Sequence, residues 1–334
     1  MSDERFLITG AHGCIGAWVV RQLVSEGSAV VSFDAGDDPY RFRLVMDDAD
    51  AARVLHVRGD ITDLASLEAA LDEHTITNVI HLAALQVPFV RADPPLGARV
   101  NVVGTVNVFD AVARRASRMA PLVYASSIAA YDALEDATQT QPAMVGAPST
   151  LYGVFKRANE GTATVYWHDR QVASVGLRPH TVFGPGRDQG LTSAPTAAML
   201  AAAAGKPFHL PYGGRFQLQY APDVARVFIA ASRSNATGST VHNLRGQLVS
   251  IQGLVSAIES AAPEVAGRIS YEPHQLPFPE QVDSASLAQF HDVGRELPIA
   301  EAVLDAIARF RRLLALGLVV PADPTNVAVP SESR

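Results

Sequence analysis

Lysine, cysteine and long apolar runs are all scarce in this chain. Of its 334 residues only Lys156 and Lys206 are lysines, and the remaining Lys+Arg positions are arginine. A lysine inside a motif is therefore informative here. Cys14 is the single cysteine, which excludes an intrachain disulfide and any zinc site built on cysteine pairs. No run of about eighteen apolar residues occurs, so no membrane partner is expected. Met1-Ser2-Asp3-Glu4-Arg5 lacks the basic-then-apolar pattern of a secretory leader, and a cytoplasmic protein is expected. The 27 basic side chains are outnumbered by 34 acidic ones, for a net charge of −7, and they form no basic stripe. A nucleic-acid partner is not expected, and neither is a metal.

What the chain does have is 48% hydrophobic residues, arranged as short apolar runs alternating with helical patterns. Strands are predicted at Arg5–Thr9, Ala29–Phe33, Val54–Val57, Val79–Leu82, Leu122–Tyr124 and Ala173–Leu177. Helices are predicted from about Ile15 to Glu26, through Val102–Ala116, and around Tyr152 and Lys156. This alternation implies a doubly wound α/β fold, with a parallel sheet covered on both faces. After Arg178 the sequence turns rich in Pro, Gly and small residues, with helical patterns returning at Pro222–Ser232, Ile251–Ala262 and Ile299–Ala315. We therefore expect a nucleotide-binding domain over 1–178, with 222–245 returning to it. A smaller C-terminal substrate-binding lobe would occupy most of 179–320, followed by a loose tail over 321–334.

Thr9-Gly10-Ala11-His12-Gly13-Cys14-Ile15-Gly16 spaces three glycines by three between a strand and a helix. Glycine is required where the chain turns tightly and where backbone must approach a pyrophosphate, and the following helix N-terminus attracts the phosphates. Asp34 closes the second strand, 18 residues past Gly16. A carboxylate there accepts the hydroxyls of an adenosine ribose and repels a 2′-phosphate, which favours NAD over NADP. Arg41 and Arg43 are possible phosphate partners that work against this choice, and Asp37 and Asp38 are rival carboxylates. Cys14, beside a helix N-terminus, is read as a small side chain fitting a tight loop.

Tyr152-Gly153-Val154-Phe155-Lys156 sets a phenol and an ammonium on one helix face. Free tyrosine titrates near pH ~10, and a nearby cation brings it toward the working range of a base. Ser126-Ser127 follows the strand ending at Tyr124, at the carboxyl edge where open α/β sheets bind ligands.

With these motifs stand Gly59-Asp60-Ile61-Thr62-Asp63, His81-Leu82-Ala83-Ala84, Asn101-Val102-Val103-Gly104-Thr105 and Arg178–Pro185, all in order. Together they resemble the extended short-chain dehydrogenase/reductases, the family of NAD-dependent sugar epimerases and dehydratases, which have a Rossmann sheet. The resemblance runs from about Phe6 to Ala231. It implies that Gly10, Gly13, Cys14, Ile15, Gly16 and Asp34 bind the cofactor. Asp60 and Ile61 would border adenine, Leu82, Ala83 and Ala84 would line the cofactor, and Asn101 would sit near the active centre. Ser127 would polarise the substrate oxygen, and Tyr152 would be the acid/base. Lys156 would hold the nicotinamide ribose and tune Tyr152. A homodimer through the helices of Val102–Ala116 and Tyr152–Trp167 is also implied.

The departures narrow the chemistry. Family dehydratases carry an acid pair where this chain has Ile128 and Ala129, which transfer no protons. Thr181 stands where nucleotide-sugar enzymes read Asn, and Phe216 where they place an arginine, with Arg215 one residue out of step. Pro277-Phe278-Pro279-Glu280-Gln281 replaces an Arg-Pro-Gly-Asp-like element. Losing two diphosphate anchors would cost on the order of a few kcal/mol of binding. A small sugar, polyol or sugar acid therefore fits better than a nucleotide sugar. Its candidate contacts are Gln86, Ser127, His180, Arg187, Gln189, Gln217, Gln219 and Tyr220. The expectation is an NAD-dependent dehydrogenase acting on a secondary alcohol, with an epimerase using the same residues as the alternative. A non-catalytic NAD sensor would have no need to keep Ser127, Tyr152 and Lys156 together.

Overall fold

The structure is a computed structural model that describes residues 4–131, 148–276, 279–291 and 293–321. The expected loose tail falls almost wholly outside the described residues, as do Pro277 and Phe278.

Twelve strands are described: β1 (Arg5–Thr9), β2 (Ala29–Asp34), β3 (Leu55–Arg58), β4 (Asn78–His81), β5 (Leu122–Ala125), β6 (Ser174–Arg178), β7 (Thr181–Phe183), β8 (Phe208–Leu210), β9 (Arg215–Tyr220), β10 (Ser239–Asn243), β11 (Gln247–Ser250) and β12 (Ile269–Tyr271). Seven of them form one parallel sheet in the order β10-β6-β5-β4-β1-β2-β3. This is the doubly wound Rossmann arrangement that the alternation predicts. β11, β9 and β7 make a second sheet, and β12 pairs with β8. Hairpin-like loops cannot join parallel neighbours, so each crossover carries a helix across a face.

Strand residues alternate between two cores. Phe6, Ile8, Ile80 and Val123 pack on one face with Trp18, Val20 and Leu23 of the helix Cys14–Ser25 and with Phe228 of the helix Ala221–Ser232. Leu7, Phe33, Val79 and Tyr124 pack on the other with Leu67, Val108, Phe109 and Ala163. Both faces are dry, which explains why these strands read as unbroken apolar runs.

The expected helix over Val102–Ala116 is not regular. A wide π turn, Arg99–Val103, precedes the α-helical stretch Gly104–Ala113. At its centre the Asn101 carbonyl accepts from the Thr105 hydroxyl and from the Asn159 amide, both at 2.8 Å. Side chains inserted in this way open a helical turn, and no sequence period announces them.

Candidate active site

The strand order reverses between β1 and β4, and the loops leaving these two strands flank a crevice at the carboxyl edge of the sheet. Gly10, at φ +68°, lies so close to the β4 loop that a Cβ would meet the Ala83 nitrogen at 2.5 Å. A Cβ on Gly16 would meet the Gly10 carbonyl at 2.3 Å, so the third glycine lets the helix seat against the loop. Gly13 is different: its Cβ would touch only the Gly10 oxygen, at 3.1 Å. It N-caps the helix Cys14–Ser25 without any side-chain cap. The first intrahelical bond runs from Ala17 N–H to Gly13 carbonyl, leaving the N–H groups of Cys14, Ile15 and Gly16 for a ligand. These features fit a pyrophosphate. Leu82 and Ala83 are tied back to Thr9 across the crevice, and Ala84 follows them in the same partly buried loop.

Asp34 ends β2 with its carboxylate held by two backbone donors, His12 N–H at 2.9 Å and Gly36 N–H at 3.0 Å. The arginines that could have served a 2′-phosphate are committed elsewhere. Arg41 donates to the Gly186 and His12 carbonyls and to Asp188, and Arg43 pairs with Asp38. Of the rival carboxylates, Asp38 is taken by Arg43, and Asp37 is exposed and paired with Arg58. Asp60 is exposed at the end of β3 and caps its own turn through Thr62 N–H. The Ile61 side chain points inward instead, so close to Gly104 that a Cβ there would lie 2.5 Å from it. Asn101 is buried, and its side chain clamps both the N–H and the carbonyl of Leu85. It shapes the loop after β4 through those two bonds.

The two serines after β5 point different ways. Ser126 is buried and donates to Glu160 at 2.5 Å. Ser127 is partly exposed, N-caps the short turn Ile128–Ala130 and hydrogen-bonds the Tyr152 phenol. Tyr152 lies in the first turn of the helix Leu151–Arg170, which Thr150 caps through Gly153 N–H. Gly153 permits the meeting, because a Cβ there would lie 2.1 Å from the Ala129 carbonyl oxygen. Ile128 and Ala129 are buried and apolar, so the positions after Ser127 offer no acid pair for dehydration.

Burial pushes the Tyr152 phenol above its ordinary pKa, and the Ser127 hydrogen bond and then the Arg187 charge act against it. The expected tuning by Lys156 takes another form. Its ammonium donates to the Ala125 carbonyl at 2.7 Å and lies over the Tyr152 ring, 5.6 Å from its centre. Burial lowers Lys156 to about 8, and the Glu160 charge works against that.

Beneath the site runs a buried polar chain that the motif reading missed. Glu160 sits one helical turn beyond Lys156 and receives a two-pronged bond from Arg178, 2.7 Å on each side. Burial pushes its carboxyl up, but Arg178, Ser126 and Arg157 outweigh that and hold it below its ordinary range. Arg178 also donates to the Tyr131 hydroxyl, which donates to Asn243. The spacing Tyr152, Lys156, Glu160 was a usable signal: an acid on the buried stripe of a helix needs a partner.

Four expected substrate contacts are corrected. His180 is buried, with its imidazole on the Pro279 carbonyl at 2.8 Å and its N–H on Gln219; burial lowers its pKa to about 4. Gln217 and Gln219 do share a face of β9, and both side chains are buried. Their amides bond to the backbone of Val282, Gly246 and Leu244. Tyr220 is likewise buried, with its hydroxyl on Asp305. Gln86 does reach the site and accepts from Arg187 at 3.4 Å, whereas Gln189 is exposed. Among the described residues no cluster of His, Cys, Asp and Glu could hold a metal, and no helix is long and apolar enough to cross a membrane.

Comparison with known proteins gives a consistent frame. A model of the NAD dependent epimerase/dehydratase family matches residues 6–244. UDP-glucuronate 4-epimerase 5 of Arabidopsis thaliana is 32% identical over 183 residues, covering 54% of this chain and 42% of that relative. The chain thus matches less than half the length of that relative. UDP-glucose 4-epimerase of Mycolicibacterium smegmatis is 30% identical over 263 residues, 77% of this chain and 82% of the relative. Among solved structures, the Thermus thermophilus UDP-glucose 4-epimerase complex with NAD superposes with TM-score 0.75 at 24% identity, covering 92% of this chain and 99% of that one. A partial consensus L-threonine 3-dehydrogenase does so with TM-score 0.77 at 23% identity, with the same coverage. At such identities the structural likeness speaks for the fold.

Proposed function

The chain belongs to the NAD-dependent epimerase/dehydratase family, and within it we propose an oxidoreductase that removes hydride from a secondary alcohol of a small carbohydrate-type substrate. The observation that carries this reading is the convergence of Ser127 and Tyr152 above Lys156, beside the glycine-loop crevice. NAD, held by the glycine loop and Asp34, supplies the hydride acceptor when bound. Ser127 holds the alcohol oxygen by hydrogen bonding. Tyr152, as phenolate, takes the hydroxyl proton while the carbon-bound hydride leaves. Lys156 keeps a cation beside the ring and would hold the nicotinamide ribose. Asp60, with the backbone of Leu82, Ala83 and Ala84, completes the cofactor wall, and Asn101 acts on it by fixing Leu85. The lobe drawn mostly from 179–320 carries the substrate, with Gln86, Arg187 and Gln189 as the remaining contacts.

A small substrate is favoured because two diphosphate anchors of the nucleotide-sugar enzymes are missing or displaced in the sequence. Arg215 is exposed beside Glu280, and Phe216 is buried. The second reading, epimerisation through a transient ketone, is favoured by the likeness to the mycobacterial UDP-glucose 4-epimerase. Two measurements decide. Replacing Tyr152 with Phe should abolish turnover; unchanged turnover would remove it from the mechanism. Protein purified without added cofactor should release little NAD on denaturation, because a dehydrogenase exchanges NAD each cycle. Near-stoichiometric NAD would establish the epimerase instead. We also propose a homodimer, since Leu151, Val154 and Val165 of the catalytic helix and the neighbouring Val103 are exposed.

A further inference from the structure

We infer that Arg187 and Tyr212 form a binding site for a substrate carboxylate, which narrows the substrate to a sugar acid or a related hydroxy acid. The inference deepens the reading above and rests on it for the reaction.

Among the described residues Arg187 is a cation without an anion: no carboxylate lies within ion-pair distance of it, and its Nε–H is buried with no acceptor. The nearest acid in sequence, Asp188, is occupied by Arg41 and Tyr40. What Arg187 does contact is neutral: Thr192 accepts at 2.7 Å and Gln86 at 3.4 Å. These bonds aim the guanidinium and leave its charge unmatched.

Tyr212 has the same deficit. It lies in the turn between β8 and β9, is 2% exposed, and its hydroxyl has no partner. Its ring is fixed edge-on against Phe216, 5.7 Å between centres. Arg187 is close enough to act electrostatically on this phenol and on that of Tyr152. The orphaned Tyr212 hydroxyl thus lies in the field of a cation whose own Nε–H is also without an acceptor. Leaving such donors unpaired is costly, and a group with several acceptor lone pairs relieves both at once. A guanidinium fork matches a planar carboxylate. A phosphate dianion would leave a charge unbalanced, since the other cation of the site, Lys156, is bonded to Ala125 and lies over Tyr152.

The test is calorimetric titration of the NAD-loaded protein with erythronate, xylonate and gluconate, with the uncharged erythritol, xylitol and glucitol, and with inorganic phosphate. At least one acid should bind roughly 10–100-fold more tightly than its polyol, the range of a charge-assisted bond. Arg187→Gln should erase that difference. Tyr212→Phe should weaken the acid several-fold and spare the polyol, and it serves as the independent variant should Arg187→Gln misfold. Equal binding of acid and polyol, no binding of any acid, or acid binding untouched by Arg187→Gln would overturn the proposal. Phosphate binding above the acids would overturn it too, by making this a phosphate site. NADH absorbance is read in the same samples. An acid that binds in an Arg187-dependent way without NADH appearing supports the anchor and sinks the oxidoreductase reading.

Discussion

Changing Glu160 to glutamine tests how the catalytic helix is seated. The substitution keeps the shape and removes the charge facing Arg178, a side chain 1% exposed and bonded to Glu160 at 2.7 Å through two nitrogens. Breaking a buried pair from one side costs about 3–5 kcal/mol, because the surviving charge stays buried without a counter-ion. Against a total stability of about 5–15 kcal/mol this is a large fraction. At about 2 °C per kcal/mol for a chain of this size, melting should fall by roughly 6–10 °C. Adding Arg178→Met should recover much of the loss, since no charge then remains to be matched. Circular dichroism melts measure the parent, Glu160→Gln, Arg178→Met and the double variant. A second readout follows from Lys156. The Glu160 charge favours its protonated form, and burial has already lowered it to about 8. Without Glu160 it drops further, so the ammonium is lost at lower pH. The KM for NAD should then rise between neutral pH and pH ~8, where the parent protein changes less. A melting shift below about 2 °C, or a double variant as unstable as the two single losses summed, would refute the reasoning.

Three more expectations can be checked directly. Gly153→Ala would press a Cβ against the Ala129 carbonyl, 2.1 Å away, and push Tyr152 from Ser127; turnover should fall about 100-fold or more, and a normal rate would mean the helix has slack. Ser127→Ala removes the hydrogen bond that opposes the upward push of burial on Tyr152. The rising limb of kcat/KM should move to higher pH, and an unmoved limb would take Ser127 out of the proton transfer. Val154→Glu, at an exposed position between Leu151 and Val165, should convert a dimer to single chains in light scattering while melting stays within about 0.5 kcal/mol; a parent protein already monomeric would end the dimer proposal.

The nucleotide-binding half was legible because its signals are local. Glycine spacing, unbroken apolar strands and the Tyr152–Lys156 turn each state a backbone geometry or a buried face within a few residues. β1 falls on its predicted residues, and the other predicted strands shift by one residue at one or both ends. The part after Arg178 was harder, because its partners are distant in sequence. Nothing in Gln217-Leu218-Gln219 reveals that both amides are consumed by backbone near Leu244, Gly246 and Val282. His180 fails for the same reason, with its acceptor at Pro279. Tyr212 reads as a turn residue in a Pro-Gly stretch, and only its burial without a partner singles it out.

The bonds around Arg187 carry one more consequence. The Trp18 indole donates to the Pro185 carbonyl, Arg41 donates to the Gly186 carbonyl, and Arg41 and Tyr40 together hold Asp188. Every residue immediately flanking Arg187 is therefore fastened to the nucleotide-binding half, two of them to an arginine that also grips the glycine loop at His12. The lever arm from cofactor cradle to Arg187 is a few bonded residues long, and its length does not depend on how the rest of the C-terminal half shifts. Sequence drift elsewhere in that half can reshape the pocket walls without moving this reference point, so a new substrate could be accommodated with its reacting carbon still in register.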